Sequence, residues 1–314
     1  MTEVKGLIVA RELLTLGEAF EDLVFLGLER LPNPGEEVRT SRFLRTSGGG
    51  AVITAVAASR LGLGCAIWSG LGDDAVARLK ADGVVVRNLK RRDEPHAISA
   101  ALSTTDNRSF VTFNGVNDAL EQRLLAAAPR MRTRHAHFAF FPTDCARWIP
   151  ILERCRRRGI TTSWDFGWNE RLLEDRSFTD LLERLDLLFL NEQEARLYSR
   201  RRSLSAALAV WRQSVRPVIV KLGADGSRWI SRTVDLHVPA PRTRVIDTTG
   251  AGDAFNGGFL YSRLHGQSEA AALRLGNRVG ALSTRAPGGL DGLPAATDIP
   301  AAWLRSPSSP RMSR

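Results

Sequence analysis

Short apolar runs alternate with amphipathic helical stretches along most of this chain, and no other feature restricts its fold as much. Residues 66–68, 137–141, 161–164, 187–190 and 217–222 read as buried strands, short and mostly apolar. Between them, residues 145–158 and 204–214 space their apolar side chains as helices do. Alternation on this scale calls for right-handed crossovers, hence an α/β fold with a mostly parallel central sheet and helices on both faces. Such a sheet binds ligands at the carboxyl ends of its strands.

Residues 20–46 and 96–114 break the rhythm. Each holds two strand-like arms around turn formers, Leu31-Pro32-Asn33-Pro34-Gly35 in one and Thr104-Thr105-Asp106-Asn107 in the other. Each reads as a β-hairpin. Together they predict a small β-sheet lid on the core, a surface through which a homodimer is one expected assembly. Residues 1–305 then form one domain, and 306–314, rich in serine and proline, read as a disordered tail.

Composition narrows the function classes. No uninterrupted apolar run is long enough for a bilayer, and the amino-terminal stretch has no apolar block followed by a small-residue cleavage site. Cys65, Cys145 and Cys155 stand at unrelated spacings, giving neither a disulfide framework nor a metal cluster. A reduced, cytoplasmic protein is expected. The net charge of +10 raises nucleic acid as a partner. However, the basic runs 90–92, 156–158 and 200–202 are short, far apart and not interleaved with aromatic residues. Arginine-rich, solvated helix faces are the simpler reading, and no nucleic-acid or membrane partner is expected. The positive field still steers anions such as nucleotides.

The chemistry concentrates in residues 245–258, VIDTTGAGDAFNGG. Arg244-Val245-Ile246 reads as the end of a strand, Gly250-Ala251-Gly252 as a tight turn, and 253–264 as a helix. The turn aims the first amides of a helix, its positive end, at an anion. Asp253 would sit beside that anion, where a carboxylate can take the proton of an attacking hydroxyl. Half of a dinucleotide fingerprint and a structural turn with a capping aspartate are the competing readings. No GxxxxGK[ST] occurs in the chain, which excludes a Walker loop.

The stretch 247–259, DTTGAGDAFNGGF, closely resembles the C-terminal signature of the ribokinase-like (PfkB-type) carbohydrate kinases. The resemblance runs over about residues 13–295. Residues 16–22 are similar to that family's opening strand, which implies that Asp22 binds sugar hydroxyls. Pro34-Gly35-Glu36 matches its lid turn. Gly48 and Gly49, with the helix that follows, resemble its first signature, where a polyol approaches the backbone. Gly70-Leu71-Gly72-Asp73-Asp74 follows where expected. Asn191 and Glu194 resemble the NxxE element, which implies Mg²⁺ organised through water, as suits an ion that keeps most of its waters. Lys221, Gly223 and Gly226 resemble the nucleotide-side loop, and Asn277 lies on the helix along the adenine. Asp247 and the Thr249 carbonyl match a loop that in this family holds K⁺.

Two departures stand out. Where the family carries an asparagine that grips sugar hydroxyls, counting from Gly48 arrives at Ile53. The glycine usual after the Asp73-Asp74 pair is Ala77, and the segment to Gly83 is a few residues short. An apolar residue in a polyol site rejects a hydroxyl at that point. The resemblance therefore implies an ATP-dependent kinase acting on a sugar or sugar-like alcohol. Asp253 would be its base, and the amides of Ala251, Gly252 and Asp253 its anion hole. A nucleoside kinase of the same fold and a ligand-binding relative without turnover are the alternatives, and a dehydrogenase is a distant third.

Overall fold

The computed structural model describes residues 11–104 and 108–305, so part of the second lid turn and the expected tail lie outside it. In chain order the strands are β1 (Arg11–Gly17), β2 (Phe20–Leu28), β3 (Arg42–Gly48), β4 (Cys65–Ser69), β5 (Val85–Asn88), β6 (Ile98–Thr104) and β7 (Arg108–Phe113). They continue as β8 (Thr133–Ala139), β9 (Thr161–Asp165), β10 (Leu187–Asn191), β11 (Val218–Lys221), β12 (Ser227–Ile230) and β13 (Asp235–Val238). Nine of them form one sheet in the order β13-β12-β11-β10-β9-β8-β1-β4-β5, parallel except where β12, near one edge, pairs antiparallel with β11 and β13. Its strands are apolar on both faces because helices cover both, and each face has its own core. Phe189, Ile219 and Phe259 belong to one, and Phe138, Trp148 and Trp164 to the other.

The two expected hairpins form the second sheet, β3-β2-β6-β7. β2 and β3 pair antiparallel, as do β6 and β7, and a parallel β2–β6 contact joins the hairpins. The expected opening strand over 16–22 is instead two strands, one in each sheet, with Glu18 and Ala19 as the joint. Asp22 therefore rides on the lid and not on the core.

One element differs from expectation. Residues 244–246 are not a strand; Val245 and Ile246 are each 56% exposed. The Ile246 and Asp247 amides both donate to the Thr284 carbonyl, which tethers this segment to a helix end instead of a sheet. β-branched residues suggested a strand, but among the described residues no strand pairs with them.

Candidate active site

The Ala251–Leu264 helix opens at Gly250, whose φ of 70° is left-handed and so asks for glycine. The Ala251 amide, expected in the anion hole, donates to the Thr248 carbonyl at 3.2 Å and closes the turn. The Gly252 and Asp253 amides have no backbone acceptor among the described residues, and they face outward at the positive end of a helix of 14 residues. Asp253 Oδ1 lies against Gly50, where an added β-carbon would come within 3.0 Å of it. The carboxylate is thus framed by the start of two helices.

Around this point the strand ends deliver charge. Lys221, at the end of β11, places Nζ 3.2 Å from where a β-carbon on Gly252 would stand, and it donates to Asp165 Oδ2 at 2.6 Å. Asp165 ends β9 and also accepts from Asn256 Nδ2 at 2.7 Å. Burial pushes the Asp165 carboxyl up, but the Lys221 cation and two hydrogen bonds outweigh it and hold it below the ordinary range. Lys221 itself is held upward, its burial outweighed by Asp165, Glu194 and Asp253. For Asp253 the balance falls the other way. Burial, then the nearby Asp165 charge, pushes its carboxyl up to about 7. A base poised near neutrality is what proton abstraction at physiological pH requires.

Asn191 and Glu194 form a capping box at the Glu192–Tyr198 helix. Glu194 N donates to Asn191 Oδ1 at 2.8 Å, Asn191 N to Glu194 Oε2 at 2.8 Å, and Asn191 Nδ2 to Glu194 Oε1 at 2.7 Å. Burial, then Asp165, pushes the Glu194 carboxyl up to about 7. Both its oxygens already accept hydrogen bonds, and among the described residues there is no group of three or more His, Cys, Asp or Glu that could hold a metal. The donor set therefore fits a metal carried on a nucleotide and reached through its waters, and does not fit a resident ion.

The other expected residues fall around this corner. Asp247 binds two loops together: Oδ1 accepts from Thr249 N and Oγ1 at 2.8 and 2.7 Å, and Oδ2 from Gly288 N at 2.9 Å. Gly223 and Gly226 make the β11–β12 turn, and a β-carbon on Gly226 would overlap the Val238 carbonyl. Asn277 donates to the Val238 and Pro239 carbonyls, fixing its helix to the end of β13. Ile53 is only 2% exposed, and its Cδ1 packs beneath Gly250 and Gly289. It supports the Gly250 turn from below.

On the lid, Asp22 leans over Gly48, where any β-carbon would overlap its carboxylate. Burial raises Asp22 to about 6, and no hydrogen bond reaches its oxygens among the described residues. Glu18, at the joint between β1 and β2, is pushed up to about 7 by burial and then by Asp118, and it too has no hydrogen-bond partner there. Its neighbour Glu21 faces the other way, paired with Arg45 and with His96 at 2.6 Å. A cavity of about 500 Å³ opens beside these pairs, between the lid and the Asp73–Ala81 helix. Asp253 does not line it.

Asp165, Asn256 and Glu18 were not foreseen. For Asp165 the signal existed: a carboxylate ending the apolar run 161–164, where ligands bind in a parallel sheet. Asn256 stands one helical turn after Asp253, a polar residue amid apolar ones.

The model of the pfkB family of carbohydrate kinases matches residues 10–296. The chain belongs to that family. An ATP-dependent ribose-1-phosphate kinase from Halopiger xanaduensis is 30% identical over 273 residues, 83% of this chain and 88% of the relative. An Arabidopsis thaliana ribokinase complexed with ribose and ATP aligns over 94% of this chain and 99% of that one, at 22% identity and a TM-score of 0.73. An Escherichia coli structure of ribokinase type, with ATP and Mg²⁺, covers 94% and 99% at 23% identity and a TM-score of 0.75. As a pfkB-family protein, the chain is a sugar kinase on the ribokinase fold, a phosphotransferase with an alcohol as acceptor.

Proposed function

We propose that this chain transfers the γ-phosphate of ATP to a hydroxyl of a sugar or sugar-like alcohol seated between Asp22, Gly48 and Asp253. One observation carries the reading: a carboxyl poised near 7 stands beside two unengaged helix-start amides, with the Lys221 ammonium next to them. As the acceptor oxygen bonds to the γ-phosphorus and the β–γ bridge bond breaks, the acceptor proton passes to Asp253. The Gly252 and Asp253 amides and Lys221 meet the charge on the transferring oxygens. A Mg²⁺ on the nucleotide would neutralise its phosphates, and the Asn191–Glu194 corner would hold that ion's waters. Asp247 and the Thr249 carbonyl are the place for a monovalent cation, K⁺ in this reading.

The outer face of the lid supports a homodimer. Phe43, Val111 and Phe113 lie on that face and are 55%, 68% and 54% exposed, with Phe43 packed on Phe25 at 5.2 Å. A cytoplasmic setting, where ATP is available, suits three free cysteines.

A coupled ADP-release screen over hexoses, pentoses, keto-acid sugars and nucleosides tests the reading. Acceptor-dependent ADP release that vanishes in Asp253→Asn is expected. Release by no acceptor, or release indifferent to Asp253, defeats it.

A further inference from the structure

A second cleft, of about 640 Å³, opens between the loop that follows β9 and the far end of the Glu192–Tyr198 helix. That volume lies within the range of small-molecule sites, roughly 300–1,000 Å³. Trp168, 54% exposed, and Leu173 form one wall, and Arg196, Arg200, Arg201 and Arg202 form the other. Arg196 has Glu192 at 3.4 Å, whereas Arg200, Arg201 and Arg202 have no acidic partner among the described residues. An open indole offers a stacking face, and guanidiniums without an acidic partner are phosphate donors.

The backbone supplies an independent sign. Arg200, at φ 54°, is the one non-glycine residue with positive φ among those described. Its amide donates to the Leu197 carbonyl at 2.9 Å and the Arg201 amide to the Arg196 carbonyl at 3.0 Å, the closure in which helices ordinarily place glycine. The chain keeps an arginine there against that preference, and Arg200 Nη2 donates across the cleft to the Leu173 carbonyl at 2.7 Å. Strain tolerated at a side chain lining a cavity points to use of that side chain.

We propose that this cleft is a second, regulatory nucleotide site, with the base on Trp168 and the phosphates among Arg200, Arg201 and Arg202. Its two walls are the elements that carry the catalytic corner. The loop begins at Asp165 and the helix at Asn191 and Glu194. Tyr198 locks them together, donating to the Gly167 carbonyl at 2.5 Å and accepting from Asn169 N at 3.2 Å. A ligand clamped between the walls therefore bears on both Asp165 and Glu194.

Calorimetric titration of the full chain with Mg·ADP tests this. Two sites are expected, the second weaker and falling off with salt. Arg200→Gly, and separately the pair Arg201→Ser with Arg202→Ser, should weaken the second at least tenfold and leave the first intact. Trp168→Ala should also weaken it. Arg200→Gly should hold or raise the melting temperature, which separates lost binding from lost folding. A single site, or a second site indifferent to the arginine variants, overturns the proposal. Loss in the arginine variants with indifference to Trp168→Ala overturns the nucleotide as occupant. Failure of the first site as well would strike the kinase reading, whereas absence of the second alone would not.

Discussion

The two halves of the site are built differently. On the proposed phosphoryl side, Asp165 holds Lys221 and Asn256, Asn191 and Glu194 hold each other, and Glu194 and Asp253 feel the charges of Asp165 and Lys221. On the acceptor side, Asp22 and Glu18 are raised by burial and hold no hydrogen-bond partner among the described residues. A buried carboxyl left without donors carries a desolvation cost that a ligand's hydroxyls can relieve. In the proposed reading, one half is organised before any ligand arrives and the other is completed by the ligand. Mutations should divide the same way: failures of turnover and stability on one side, failures of acceptor binding on the other.

The largest effect belongs to Asp253→Asn. The amide keeps size and cannot take a proton, so turnover should fall by roughly 10²–10⁴ with nucleotide affinity little changed. Wild-type turnover should rise with pH up to about 7 as the base ionises. Stability moves oppositely. The folded carboxyl, at about 7 against an ordinary 3.8, holds its proton more tightly than the unfolded one, so stability falls as pH rises between those values. Asp253→Asn should therefore melt higher than wild type at pH 8 and gain less at pH 5. A variant that melts lower at pH 8 would show that Asp253 is a structural anion.

Asp165→Asn comes next. It removes the partner of a buried ammonium, and an uncompensated buried charge costs about 3–5 kcal/mol. Thermal melts should show that loss. Turnover should drop as well, because Lys221 would no longer be held beside Gly252. Replacing both, Asp165→Asn with Lys221→Met, should recover much of the stability and none of the activity. Recovered activity would remove Lys221 from phosphate handling.

These two residues also show what could be read in the chain. The glycine turn and helix start beside Asp253 were legible because their parts are contiguous: the left-handed glycine, the helix start and the carboxylate span four positions. The alternation of strands and helices gave the layered sheet because burial on both faces leaves nearly continuous apolar runs. Asp165 was harder, since its partners Lys221 and Asn256 lie on other elements and only the closed sheet joins them. Residues 244–246 misled because branched side chains favour strands, while a tether to Thr284 took the place of a sheet edge. Glu18 sits at a joint between sheets that no local pattern marks.

Asp22→Asn should act on the other half. Hydroxyls donating to a charged acceptor contribute about 1.5–3 kcal/mol, so acceptor KM should rise roughly 10–100-fold with nucleotide KM unchanged. Because bound hydroxyls favour the ionised form, acceptor kcat/KM in the wild type should weaken as pH falls through about 6. That dependence should vanish in the variant. A change in nucleotide KM of the same size would break the division between the halves.

Ile53 gives the smallest functional effect and the finest test. Its position in the signature suggests an acceptor contact, and Ile53→Asn would then restore a hydroxyl partner. Its burial says otherwise. At 2% exposure, with Cδ1 under Gly250 and Gly289, it presents almost no surface to a sugar. Asparagine there would place an amide among apolar atoms and backbone, at about 1–3 kcal/mol if unpaired. Melting temperature should therefore fall, while relative kcat/KM among acceptors stays within a factor of about two. Ile53→Val, which only trims the packing, should cost about 0.5–1.5 kcal/mol and lower turnover slightly as the Gly250 turn loosens. A tenfold shift toward fully hydroxylated acceptors in Ile53→Asn would instead place this residue in the ligand-completed half, and the boundary between the two halves would have to be redrawn through the Gly50–Arg60 helix.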